Sequence, residues 1–202
     1  MAQASLPPSV TDDELLSRIA AGDGEAFTLF FRRRQAVVYR FALHLTGVPA
    51  VAEDVTQDVF VEVMREARRY DAARGTAAAW LCGIARNFVR RRFETDRLIE
   101  PLAGAGGQEF DVAAAGGHPL DDLTRAERVE ALRRAILTLP FRYREVVVLC
   151  DLQELSYAEA AEAIGCAVGT IRSRLSRGRT LLAAKLTLAR EAPEAEDGDG
   201  AT

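Results

Sequence analysis

Between Leu155 and Leu182 the chain can form little besides two short helices hinged at a glycine. Ser156 is followed three residues later by Glu159, a capping box that starts a helix near Tyr157. Ala160, Ala161 and Ile164 supply a small packing face for it. Gly165 stands where the helix must stop, because glycine enters the left-handed conformation without steric cost. A second helix starts near Val168, with Ile171 and Leu175 inward at helical spacing. Its outer face carries Thr170, Arg172, Ser173, Arg174, Arg177 and Arg179.

Two helices joined through a glycine, the second rich in Arg and Ser/Thr, form the pattern of a helix-turn-helix. Arg presents a planar fork that grips guanine edges or phosphates, and Ser/Thr reach either. A helical hairpin with a solvated basic face is the competing reading. The ordered small-small-Ile-Gly run, and the absence of any acid between Glu162 and Glu191, favour DNA recognition.

A chain of 202 residues permits one large domain or two small ones. No apolar run is long enough to span a bilayer, and the N-terminus lacks the basic start and apolar middle of a signal peptide. A cytoplasmic protein is expected. Cys82, Cys150 and Cys166 are isolated, and only His44 and His118 accompany them, so buried small hydrophobes are expected rather than a metal site. No cofactor is expected, and no nucleophile, base and orienting group assemble into an enzyme site.

The formal net charge of −4 argues at first against a nucleic-acid binder. Distribution matters more. Arg86, Arg90, Arg91 and Arg92 form one basic cluster and Arg172 to Arg190 another, with Lys185 the sole lysine. Acids gather at Asp12 to Glu14, Glu53 to Glu66, Asp121 to Asp122 and after Glu191. Such a molecule binds DNA weakly alone and gains from a partner that supplies the remaining affinity.

Along the chain, residues 1–10 read as a loose start. Thr11 and Glu14 make another capping box, opening a helix over Leu15, Leu16 and Ile19 that ends near Gly22. Phe27, Phe30, Phe31, Val37, Val38, Phe41 and Leu45 recur at helical period until Gly47 and Pro49 break the run. A third helix is expected over Ala52 to Arg68, with Val55, Val59 and Val63 inside. Tyr70 to Thr76 reads as a loop, with Gly75 as turn residue and Thr76 as cap. The fourth helix runs from Ala77 to about Phe93, burying Trp80, Leu81, Ile84 and Phe88.

Residues 95–123, rich in Gly and Ala with Pro101 and Pro119, read as a flexible linker. Helices resume near Thr124, with Val129, Leu132, Ile136 and Leu137 apolar, and another follows Pro140 over Val146 to Leu149. Residues 191–202 form an acidic tail. The fold class is all-α: two small helical domains, residues 11–94 and 124–190, joined by the linker.

Three ordered segments resemble the second region of bacterial sigma factors: Ala52-Glu-Asp-Val-Thr-Gln-Asp-Val-Phe60, Tyr70-Asp-Ala-Ala-Arg-Gly-Thr76 and Trp80-Leu-Cys-Gly-Ile-Ala-Arg-Asn87. Leu139-Pro-Phe-Arg-Tyr-Arg-Glu-Val-Val-Val-Leu149, followed by the helix-turn-helix, resembles their fourth region. Two regions and a short linker resemble the extracytoplasmic-function group. The resemblance covers roughly residues 12–94 and 125–188.

By that resemblance, the chain binds core RNA polymerase at the clamp helices of its largest subunit and at the flap, binds promoter DNA, and is held in check by an anti-sigma factor. Asp54, Gln57 and Asp58 share one helix face at spacings of three and four, and acids with an amide suit a basic partner. The resemblance makes that face the polymerase contact. It places the −10 element on the loop and the helix after it. Asp71, Arg74 and Thr76 would hold a base captured outside the stack, while Arg86, Asn87, Arg90 and Arg91 guide phosphates. Trp80 falls on the apolar side with Ile84 and reads as core. The −35 element falls to Gly169, Thr170, Arg172, Ser173, Arg174 and Arg177, where Gly169 lets the helix N-terminus approach a phosphate.

The chain departs from the family pattern at Ala77 and Ala78, where many relatives carry an aromatic and an Arg. It departs again at Arg90 to Arg92, where an acid often follows the Arg-Asn pair. Base preference at the −10 element is therefore not carried over. A stand-alone helix-turn-helix regulator, binding a palindromic operator as a homodimer, is the alternative function.

Overall fold

The computed structural model describes residues 10–99 and 125–191, and within them every regular element is helical. Helix α1 (Asp12–Ala20) opens on the expected capping box: the Thr11 hydroxyl accepts the Glu14 N–H at 3.2 Å, and the Glu14 carboxylate accepts the Thr11 N–H at 2.8 Å. Helix α2 (Gly24–Thr46) is capped by Asp23, which accepts the N–H groups of Glu25 and Ala26. It ends at Gly47, whose φ of +73° is left-handed. Helix α3 (Pro49–Glu66) starts three residues before the expected Ala52. Pro49 ends nothing here; it sits in the first helical turn, where its missing N–H has no intrahelical partner to lose. Val55, Val59 and Val63 form its fully buried stripe.

A short 3₁₀ turn (Ala67–Arg69) leads into the loop, and helix α4 (Ala77–Ile99) follows. Two expectations change there. The helix continues past Phe93 into the segment read as linker, because no Gly or Pro interrupts the chain before Pro101. Its buried line is Ala77, Leu81, Cys82, Ala85 and Val89, while Trp80, Ile84 and Phe88 are only half-buried along a flank. Small Ala and Cys side chains let α4 approach its neighbours closely; the larger residues cover the seam.

Helix α5 (Arg125–Leu137) buries Ile136 but leaves Val129 43 % exposed, so Val129 is not core. Helix α6 (Phe141–Val147) passes into a wide π turn (Val148–Leu152) that the unbroken apolar run did not announce. The Gln153 N–H reaches back to the Val148 carbonyl at 3.0 Å, and Arg179 ties the turn down through Asp151. Helices α7 (Tyr157–Ile164) and α8 (Val168–Glu191) complete the chain. Residues 1–9, most of the expected linker (100–123) and residues 192–202 of the acidic tail lie outside the described residues.

The two halves share one buried cluster. Leu137 packs so tightly on Gly47 that a Cβ there would lie 2.8 Å from the leucine side chain. Phe93 and Phe141 meet edge to face at 5.6 Å. Arg144, 8 % exposed, donates to the Leu45 carbonyl at 2.6 Å and to the carbonyls of Leu137 and Leu139, so one guanidinium joins the C-terminal ends of α2 and α5. Burial lowers its pKa to about 10, and its carbonyl partners carry no compensating charge.

Truncating the centre of the first bundle tests this packing. Phe41 is fully buried, and Phe41→Ala is expected to cost ~3–5 kcal/mol, read as a lower midpoint in urea denaturation with an unchanged slope.

Candidate nucleic-acid interface

Valine packing aims the α3 acids outward. With Val55 and Val59 buried, Asp54 and Gln57 are exposed on the opposite side and Asp58 is half-buried. Arg92 of α4 reaches both carboxylates, Asp54 at 3.1 Å and Asp58 at 3.2 Å. Burial opposes its charge, but the hydrogen bonds to Asp58 and then Asp54 prevail and raise its pKa. The sequence marked Arg92 only as part of a basic cluster, since the α3 to α4 crossing is not visible in spacing.

The loop after α3 is shaped by Tyr70. Its hydroxyl donates to Asp13 at 2.5 Å and lies 3.3 Å from the Gly75 carbonyl, and its ring lies 5.5 Å from Trp80. Burial, followed by the Asp13 bond and nearby negative charge, pushes the phenol well above its ordinary pKa, so it remains a donor. Asp71 is used locally, accepting the Ala73 N–H at 2.9 Å. Thr76 caps α4 as expected, accepting the Ala79 N–H at 3.3 Å. An open cleft of about 530 Å³ lies here, lined by Asp12, Asp13, Arg33, Arg34, Tyr70, Arg74, Thr76 and Glu159 among others.

The candidate −10 residues therefore divide. Asp71, Arg74 and Thr76 sit on one loop, and Asn87, Arg90 and Arg91 are exposed farther along α4. Arg86 is different: its side chain is 11 % exposed and its Nε donates to Glu145 at 2.7 Å. Glu145, 2 % exposed on α6, also accepts Arg174 of α8 at 3.3 Å. One buried carboxylate thus joins both halves. Sequence reading missed it; the available signal was Arg144-Glu145 placed directly before the apolar run Val146–Leu149.

The helix-turn-helix forms where expected. Ser156 and Glu159 make the reciprocal cap, and Gly165 closes α7 with φ +75°. Ile171 and Leu175 are buried, and Gly178 lets α8 lie against Val147, where a Cβ would come within 2.8 Å of its methyl. Gly169, Arg172, Ser173 and Arg177 remain exposed, Thr170 is half-buried, and Arg174 is held by Glu145. Arg179 is held by Asp151.

Glu159 has a second engagement. Its Oε1 accepts the Thr76 hydroxyl at 2.7 Å across the two halves, and Glu162 pairs with Arg74. Burial alone would raise the Glu159 pKa, but bonds from Ser156 and Thr76 outweigh it and hold the carboxyl below its ordinary value. Burial pushes Cys82 up to about 12 and Cys150 up to about 11, so both thiols are protonated at neutral pH. Among the described residues no group of His, Cys, Asp and Glu could hold a metal, and no helix is long and apolar enough to cross a membrane.

Residues 30–98 match the Sigma-70 region 2 family and residues 129–182 match Sigma-70, region 4. The chain is 35 % identical over 187 residues to the probable RNA polymerase sigma-C factor of Mycobacterium bovis, covering 87 % of this chain and 94 % of the relative. It is 35 % identical over 176 residues to the extracytoplasmic-function factor SigM of Mycobacterium tuberculosis, covering 86 % of this chain and 83 % of that one. Among solved structures it resembles CnrH in complex with the cytosolic domain of CnrY, with TM-score 0.64, 25 % identity and coverage of 88 % and 97 %. It also resembles RpoE of Bartonella quintana in complex with the anti-sigma factor NepR, with TM-score 0.63, 26 % identity and coverage of 80 % and 97 %.

Removing the shared carboxylate tests the electrostatic joint. Glu145→Ala leaves two arginines without their buried partner and is expected to cost about 3 kcal/mol, the low end for breaking a buried pair because both arginines keep some water. Arg86→Ala is expected to cost less, since Glu145 retains Arg174. Urea denaturation of the two variants in parallel gives the comparison.

Proposed function

The chain belongs to the sigma-70 family of RNA polymerase sigma factors, in its extracytoplasmic-function group, and on that premise we propose how its surfaces share the work of starting transcription. The Asp54, Gln57 and Asp58 face of α3 docks the clamp helices of the polymerase largest subunit, and the C-terminal half meets the flap. The loop at Asp71, Arg74 and Thr76 receives the opened −10 strand, and Asn87, Arg90 and Arg91 follow its phosphates, with Arg86 joining them only when it leaves Glu145. The exposed edge of α8 reads the −35 element through Gly169, Arg172, Ser173 and Arg177, flanked by Thr170 and Arg174. The working units are residues 11–94 and 124–190, spaced by the segment between them. The protein works in the cytoplasm and catalyses no bond chemistry itself.

The observation that carries this reading is the division of charge by helix: acids and an amide on the outer face of α3, arginines on the outer faces of α4 and α8. A basic partner and a polyanion would each find a complementary surface on a different element. Gly169 adds support. A Cβ there would meet nothing within 4 Å, so internal packing does not require the glycine, and the N-terminus of α8 is open to a phosphate. Binding by an anti-sigma factor is supported by the complex with NepR in which the similar RpoE structure occurs.

Reconstitution with core polymerase, followed by mapping of transcription starts on genomic DNA, tests the whole reading. Asp54→Lys with Asp58→Lys is expected to abolish co-purification with core polymerase. Arg172→Ala is expected to leave that association intact and weaken −35 binding by ~1–3 kcal/mol. Arg172 is the better probe because removing Arg174 also strips a partner from Glu145. Unimpaired polymerase binding by the charge-reversed protein would overturn the docking assignment.

A further inference from the structure

Arg92 stands apart from the arginines beside it. Arg90 and Arg91 are exposed, whereas Arg92 is half-buried and reaches across to α3. We infer that Arg92 is a positioning residue for polymerase docking: its guanidinium bridges Asp54 and Asp58, fixes both carboxylates before the partner arrives, and leaves each with an oxygen for that partner. This rests on the assignment of the α3 face to the polymerase.

The helix seam puts Arg92 where it can do this. Ala85 and Val89 are fully buried on α4, and Arg92 follows Val89 by three residues, so it continues their line. Where another apolar residue would close the seam, a long cation meets the acids of α3 instead. Val55 and Val59, each next in sequence to one of those acids, are fully buried. The core therefore holds the α3 backbone at this point, and only the two acidic side chains are left to be ordered.

The bond pattern separates bridging from masking. Nη1 donates to Asp54 Oδ2 at 3.1 Å and Nη2 donates to Asp58 Oδ2 at 3.2 Å, so Arg92 holds each carboxylate by one oxygen. The side chains of Asp54 and Asp58 remain 58 % and 45 % exposed. A basic group can join them without evicting Arg92.

The bridge also answers a local conflict. Asp54 and Asp58 are four residues apart on one helix face, where like charges repel. A cation between them removes the repulsion, and the planar fork sets their separation, which the point charge of a lysine does not. Ordering side chains at an interface opposes association, and a pair already ordered in the free protein avoids that loss. Charge counting alone predicts the reverse. If Arg92 only shielded the acids, its removal would strengthen attraction to a basic partner. The sign of the effect decides.

The test is a titration of the full chain against core RNA polymerase at about 0.15 M salt, where long-range attraction is screened. Arg92→Ala and Arg92→Lys are each expected to bind about fivefold more weakly, the effect of ordering two short side chains on binding. Asp54→Asn with Asp58→Asn is expected to weaken binding further, and adding Arg92→Ala to that pair is expected to change nothing more. Pairs this exposed contribute little to stability, and the buried valines keep the seam, so every variant is expected to retain its urea midpoint.

Unchanged or tighter binding by Arg92→Ala overturns the positioning role. Full binding by Arg92→Lys does so too, because any positive charge would then serve. So does an Arg92→Ala loss of equal size in the doubly neutral background, since Arg92 would then act through something other than the two acids. In each of these cases, weakened binding by the Asp54→Asn, Asp58→Asn protein leaves the docking assignment standing. Unimpaired binding by that protein sinks the docking assignment itself.

Discussion

Glu145 is the point on which the arrangement of the two halves turns. A carboxylate at 2 % exposure carries a desolvation cost that only well-placed partners offset. Its two oxygens are met by Arg86 from α4 and Arg174 from α8, one guanidinium from each half. The interaction is directional as well as attractive, because the arginines reach it together only when α4 and α8 approach α6 at the observed angles. Apolar contact alone would tolerate sliding; this triad sets a register. Arg144, the residue before it in sequence, adds a second register by capping the ends of α2 and α5 through three carbonyls.

Around that joint many of the candidate site's polar groups are satisfied internally. Asp54 and Asp58 share Arg92, Arg74 takes Glu162, Thr76 takes Glu159, and Arg179 takes Asp151. These pairs differ in depth. The Glu145 carboxylate and its bond to Arg86 are shielded from water and resist salt, whereas the rim pairs are largely exposed and individually weak. A molecule built this way holds its shape through buried contacts while its surfaces stay exchangeable. That graded strength fits a subunit whose surfaces must each be surrendered to a larger partner.

Much of this was readable from residues alone. Capping boxes at Thr11 and Ser156, the left-handed turn at Gly165 and the valine stripe of α3 depend on neighbours three or four positions apart, and those interactions have the same geometry in any helix. Misreadings arose where local rules were silent. Pro49 is equally compatible with breaking a helix and with starting one. Trp80, Ile84 and Phe88 looked like core because they are large and apolar, yet the α4 seam selects small residues, since helix separation is limited by whatever stands at the contact. The π turn at Val148–Leu152 lies in an unbroken apolar run that carries no signal of its extra residue.

The sequence by itself determined the all-helical class, the helix-turn-helix and the segregation of acids on α3 from arginines on α4 and α8. Periodicity and capping act within one element and leave their record in spacing. Only the tertiary structure decided which polar groups meet: Arg86 with Glu145 across 59 residues, Thr76 with Glu159 across 83, and Arg74 with Glu162 across 88. Contacts between residues that far apart in the chain depend on how helices cross. Crossing is set by the packing of whole faces and by where a glycine permits close approach, and no local spacing in the chain encodes that.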